Sequence, residues 1–473
     1  MQPNVIHDGS MRQLWRVSSG LMISFFSMMA MMFVDRLFLS YYSTAALGAA
    51  TSAGTLFHAG NLMWVTLVAI AEVFVAQYNG AKEHHKMGEP VWQMIYLSLI
   101  GALFFFALGS VGSDYFLSIG LMHQGEVDYF RWCNYFAPCM TLLTALSAFY
   151  IGQGKTAIIQ WLALIGNGIN IALDPLFIFG YKGYVPSMGI KGAAIATGIG
   201  MAVQMVILGI LFLKKKNRTL FGTGNYAFRL KPFLKCLKVG ASPAIFVMFE
   251  LLGWGIFYKL MERVSNTHLL IASITQSVLI LFLFFGLGLE KGAAAVSGNL
   301  IGAKKLSEVT RLFRSGMKLV FLFTAFLVVT LGVFPDFFID LFFKNPEALS
   351  TALVDISATT LVEIKQTLRF ALVLLIVYMT FENVRWLLSG LLTSAGDTFY
   401  LLVTGAISIW AFMLVPTYFL VVKVKGPIEI ALYIWLFYAA VSMALLYFRF
   451  KQGKWKNKEV IDSPSTEISA EPS

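Results

Sequence analysis

Long apolar stretches alternate with short polar clusters along nearly the whole chain. The stretches fall at roughly 18–39, 48–76, 91–112, 128–151, 157–180, 190–213, 235–261, 268–299, 315–335, 367–392, 398–422 and 428–449. Each reaches the ~20 residues that a helix needs to cross a bilayer core. The longer second and eighth stretches are expected to tilt or to extend past the hydrocarbon. Gly, Asn, Asp and charged clusters mark the turns between them. The pattern predicts an all-α, multi-pass membrane protein of about 12 helices.

Composition supports this class. Hydrophobic residues make up 58% of the chain and charged residues 13%, against about 25% charged in soluble proteins. The net charge of +11 does not point to nucleic acid, because the basic residues flank the apolar stretches. Lys82, Lys86, Lys155, Lys214–Lys216, Arg218, Lys304, Lys305 and the C-terminal Arg449–Lys458 lie in one set of loops. The positive-inside bias puts those loops and both termini in the cytoplasm. Residues 1–15 carry no cleavable signal core, so the first helix is expected to act as an uncleaved targeting signal in a cell (inner) membrane. Cys133, Cys139 and Cys236 lack disulfide or metal spacing and read as buried thiols.

The chain also repeats. Ala76-Gln77-Tyr78-Asn79-Gly80-Ala81-Lys82 follows the second stretch, and Gly298-Asn299-Leu300-Ile301-Gly302-Ala303-Lys304 follows the eighth. Gly152-Gln153-Gly154-Lys155-Thr156 after the fourth corresponds to Ser394-Ala395-Gly396-Asp397-Thr398 after the tenth. Gly189–Ala193 opens the sixth stretch and Lys425-Gly426-Pro427 the twelfth. Two six-helix halves with the same topology are related by an axis along the membrane normal, with the substrate path between them. The expected division is an N-terminal lobe at 1–220, a linker at 221–234, a C-terminal lobe at 235–452 and a disordered polar tail at 453–473.

Polar residues inside apolar stretches carry the candidate chemistry. An acid within a membrane span is costly unless it faces a paired or wet interior. Asp35 stands in a first stretch rich in Met and Phe, either turned inward or paired with Arg36 near the membrane surface. Adjacent helix residues do not share a face, which favours the inward placement. In the fifth stretch Asn167, Asn170 and Asp174 recur at i, i+3 and i+7, on one helix face. Pro175 follows and frees a backbone carbonyl. Carboxylate, amide and carbonyl oxygens suit a small hard cation or a proton. Helix-to-helix hydrogen bonding explains the asparagines alone but not the acid. Glu250 in the seventh stretch has no local basic partner, whereas Glu382 in the tenth has Arg385 three residues on. Met28, Met31 and Met32 form a stripe near Asp35 that either lines a cavity or simply packs. Glu290 and Lys291 are expected near the membrane boundary. No phosphate-binding loop is present, since Gly152–Thr156 lacks its length and leading glycine. No nucleophile–base pair or metal cluster argues for an enzyme.

These segments together resemble the multidrug and toxic compound extrusion (MATE) family. The resemblance rests on Val34-Asp35, Ala76-Gln77, Gly80-Ala81, Gly152–Thr156, the run Asn170-Ile171-Ala172-Leu173-Asp174-Pro175 continuing to Gly180, Gly192-Ala193-Ala194-Ile195-Ala196-Thr197, Gly302-Ala303 and Gly396-Asp397-Thr398. It covers residues 15–456. It implies a V-shaped, two-lobed exporter with a central cavity, driven by inward Na⁺ or H⁺ and needing no cofactor. The family's cation site falls on Asp35, Asn170, Asp174 and Thr197. A second acidic or substrate site falls on Glu250 and Glu382. The implied substrate is an amphipathic organic cation and the implied unit a monomer in the lipid bilayer. Two departures stand out: Gly20 replaces a bending proline, and Thr393 replaces an arginine before the Gly-Asp turn. A related flippase for lipid-linked substrates is the alternative; it would need inward arginines where this chain has acids.

Overall fold

A computed structural model describes residues 8–343 and 358–461. Lys344, Glu347 and Asp355 of the inter-span loops, and residues 462–473 of the expected tail, lie outside the described residues. Among those described, twelve helical spans are long and apolar enough to cross a membrane. They are α1 (Met11–Tyr42), α2 (Ala45–Gly80), α3 (His84–Ser118), α4 (Gln124–Gly152), α5 (Thr156–Phe179), α6 (Ile190–Phe212), α7 (Leu230–Val264), α8 (Asn266–Gly302), α9 (Leu306–Val333), α10 (Leu361–Ser394), α11 (Thr398–Lys423) and α12 (Ile428–Gln452). The protein is a multi-pass integral membrane protein with the expected all-α fold.

The helices outrun the apolar stretches that announce them, because polar caps extend their ends. Helix α1 starts at Met11, where the Ser10 hydroxyl accepts from the Gln13 amide and satisfies one orphan N–H of the first turn. Ser265 caps α8 by accepting from His268. Helix α2 breaks at Ile70, between Ala69 and Ala71. The long basic loop is partly folded: Lys215–Phe221 is a short helix and α7 begins at Leu230. The chain after α12 packs on the protein as far as Ile461. Trp455 is stacked on Phe450 and buried, and Val460 lies against Gly396.

Contacts between α1–α6 and α7–α12 gather at the end that bears the basic loops. Ser18 meets Gly292, Met22 meets Gly288, Ala76 meets Gly298, and Leu67 and Ile70 meet Gly240. The two repeated segments touch each other directly. The Asn79 amide donates to Asn299 Oδ1 at 2.6 Å, Gln77 Nε2 donates to the Ser394 carbonyl at 2.7 Å, and Asn299 Nδ2 donates to the Gly152 carbonyl at 2.7 Å. The turns that follow them match too, with Lys82 and Lys304 both in the left-handed region (φ 62° and 58°). Asp35 lies thirteen residues beyond Met22, or about 20 Å further along α1, toward the opposite end.

Candidate functional site

Three helices bring the N-half candidates together. Asp35 comes from α1, Asn170 and Asp174 from α5, and Thr197 from α6. The helices sit close because small residues face their neighbours. A side chain at Gly200 would strike the Gly166 carbonyl at 2.6 Å, and one at Gly192 the Phe177 carbonyl at 2.6 Å. Bare backbone at those points lets α6 lie against α5 and sets the height of Thr197 opposite Asn170. Helix α5 runs through Pro175 without ending, so Asp174 keeps the helical register that the sequence spacing predicts.

Hydrogen bonds order the cluster but do not complete it. Asn170 Nδ2 donates to Asp174 Oδ1 at 3.3 Å and to Thr197 Oγ1 at 3.1 Å. The single Thr197 hydroxyl hydrogen is contested by Asp35 Oδ2 at 3.2 Å and the Ala193 carbonyl at 3.0 Å. The Asp35 and Asp174 carboxyl groups face each other. Asn170 and Asp174 are fully buried. Three oxygens, Asp35 Oδ1, Asn170 Oδ1 and Asp174 Oδ2, are buried with no donor. Each unmet buried acceptor costs about 1–3 kcal/mol, and more if charged. Two facing carboxylates also repel unless a proton or a cation lies between them. The arrangement can therefore take up either one.

Other expectations resolve differently. Asn167 does not join the oxygen cluster; its Nδ2 donates to Ser27 Oγ at 2.9 Å and ties α5 to α1. Met31 is packed away at 4% exposed, and Met28 is half-buried. Arg36 is exposed. Of the cysteines, Cys236 is buried, while Cys133 and Cys139 are only half-buried. Glu250 does have a basic partner, supplied from α10: Arg385 Nη2 lies 3.7 Å from its Oε1. Arg385 also grips Glu382, with Nη2 at 2.6 Å from Oε2. Glu290 and Lys291 each find a partner on another helix. Lys291 Nζ crosses to Glu72 of α2 at 2.6 Å, and Glu290 accepts from Ser389 of α10 at 2.6 Å. Sequence reasoning left Glu72 unassigned. Its only cue was an acid inside an apolar stretch, with its partner far away in sequence.

Comparison with known proteins agrees with this architecture. The MatE family profile matches residues 21–176 and 243–419. A probable multidrug resistance protein, NorM, from Thermotoga maritima is 22% identical over 435 residues, covering 90% of this chain and 89% of that one. Another, YoeA from Bacillus subtilis, is 24% identical over 404 residues, covering 82% of each chain. Among solved structures, a multidrug resistance MATE family transporter in an outward-facing conformation superposes with a TM-score of 0.81 at 18% identity, covering 94% of this chain and 95% of that one. A MOP superfamily transporter from Pyrococcus furiosus gives 0.84 at 17% identity, covering 97% and 99%. With twelve spans, repeated halves and a match across most of its length, this chain belongs to the MatE family of multidrug efflux transporters.

Proposed function

We propose that the protein exports amphipathic organic cations in exchange for Na⁺ or H⁺, with the coupling ion bound by Asp35, Asn170, Asp174 and Thr197. The observation that carries this is the set of three buried oxygens without donors, two of them on facing carboxyl groups. A coupling ion drives a transition only through a difference in affinity between two states. Occupancy here changes the charge of a buried site where α1, α5 and α6 meet. Helix α1 also packs on α8 of the other half, through Met22 on Gly288 and Phe26 on Phe284. It thus joins the ion site to the contact between halves.

The gathering of inter-half contacts at the basic-loop end fits a state closed to the cytoplasm and open outward. Two lobes (1–220 and 235–452, joined through 221–234) would rock about that contact in a monomer. Acids facing the path attract a cationic substrate, and Met and aromatic side chains give it adaptable apolar contact. The test is efflux of ethidium from cells that express the chain. Asp35→Asn is expected to abolish efflux while leaving the amount of membrane-inserted protein unchanged. Full efflux by that variant would sink the assignment.

A further inference from the structure

We propose that Arg385 is a tethered cation that fills the acidic centre of the C-terminal half, so that mobile coupling ions are exchanged at the N-half site alone. The inference rests on the ion-coupled reading above and assigns Glu250 and Glu382 a role different from a second ion site. Arg385 Nε lies 3.0 Å from both Glu382 oxygens, and its Nη2 is 2.6 Å from Oε2. Trp386 Nε1 adds a bond to the same Oε2 at 3.2 Å. This carboxylate therefore has its acceptors filled by fixed donors. The same Nη2 reaches Glu250 Oε1 at 3.7 Å. Arg385 and Glu382 are 7% and 9% exposed.

The contrast with the N half is direct. There one oxygen of each carboxyl group, Asp35 Oδ1 and Asp174 Oδ2, lacks a donor, and among the described residues no basic side chain pairs with either acid; here a guanidinium stands between two acids. A Na⁺ ion placed between Glu250 and Glu382 would sit against that guanidinium and be repelled by it. Arginine also keeps its charge across the working pH range, so the position cannot be vacated by deprotonation. Glu290, the other acid near Arg385, already accepts from Ser389 and neighbours Lys291.

The experiment counts coupling ions on purified full-length protein, as ²²Na⁺ bound and, separately, as protons released when ethidium is added. Wild type is expected to give one ion per chain by one of the two readouts, and Asp174→Asn none. Placing Arg385→Gln on the Asp174→Asn background should restore one ion per chain, because two acids are then left without their cation. Arg385→Lys, which keeps a tethered charge, should restore none. Two ions per chain in wild type, or a folded Arg385→Gln chain with no gain, would overturn the proposal. If Arg385→Gln does not yield monodisperse protein, Glu250→Gln decides. An unchanged ion count supports the proposal, and loss of an ion refutes it. Retention of the ion by Asp174→Asn, with Glu250→Gln also unchanged, would refute the N-half assignment while leaving the C-half inference standing.

Discussion

Gly80→Ala should open the contact between the halves without touching the ion site. A Cβ on Gly80 would stand 2.0 Å from the Asn299 carbonyl oxygen, with the Asn299 carbonyl carbon at 2.7 Å. Carbon and oxygen rest at about 3.3 Å, so α2 and α8 must part by about 1 Å at this point. The obstacle is backbone on both sides, and no rotamer change relieves it. Overpacking of this kind costs about 1–3 kcal/mol. The cost falls only on the state in which the two segments touch. A difference of that size moves the balance between two conformations by about 5- to 150-fold, toward the state open on the basic-loop side. Gly302→Ala should act alike, since its added Cβ meets the Gln77 carbonyl oxygen at 2.0 Å.

The assay is a distance distribution between spin labels on His85→Cys and Lys305→Cys, both at exposed positions, with Cys133, Cys139 and Cys236 replaced. Gly80→Ala should add a longer-distance population. Gly60→Ala, with nothing within 4 Å of its added Cβ, should not. An unchanged distribution in a folded Gly80→Ala chain would refute the reasoning, as would equal broadening in the Gly60 control.

Three further outcomes follow from the same geometry. Thr197→Val removes the hydroxyl that accepts from Asn170 and faces Asp35; at about 1–3 kcal/mol it should lower ethidium efflux at least several-fold, with Thr197→Ser retaining most of it. Lys291→Met strands Glu72, which is 4% exposed, and should lower stability by about 3–5 kcal/mol; thermal unfolding in detergent should show Glu72→Gln/Lys291→Met recovering most of that loss. Gly200→Ala drives α6 off the Gly166 carbonyl and presses on Asn170 Cβ, 3.4 Å from the added methyl; coupled transport should fall while the Tm of the purified protein drops by only a few degrees.

What the sequence made legible follows from which interactions are local. Twelve spans are readable because the bilayer demands length and apolarity from every one of them. The Asn170–Asp174 face is readable because helix periodicity fixes it, and Asn170 does donate to Asp174 one turn on. Thr197 needed the family resemblance, since an isolated threonine among alanines looks like routine back-bonding, and its hydroxyl does also reach the Ala193 carbonyl. Pairings between distant spans were not readable. Arg385 reaching Glu250, Lys291 reaching Glu72 and Ser27 reaching Asn167 are set by helix packing. The chain near Glu250 or Glu72 holds no trace of the partner.

The repeated segments are the exception, and the reason is symmetry. Two like sequences at like positions in two halves must lie at equal distances from the axis that relates the halves. Near that axis each copy meets the other. Gly80 accordingly faces the Asn299 carbonyl and Gly302 faces the Gln77 carbonyl, both with 2.0 Å of room for a Cβ. Gln77 and Asn299 occupy matching places in the two copies, and so do the two glycines. Each glycine is therefore required by the backbone of the other copy. Its own turn does not require it: Gly80 and Gly302 are helical, and positive φ falls on Lys82 and Lys304. A pattern that reads along the chain as internal duplication is thus, in three dimensions, a contact. Internal repetition could have located this long-range contact from the sequence, and the Gly80→Ala experiment acts on it directly.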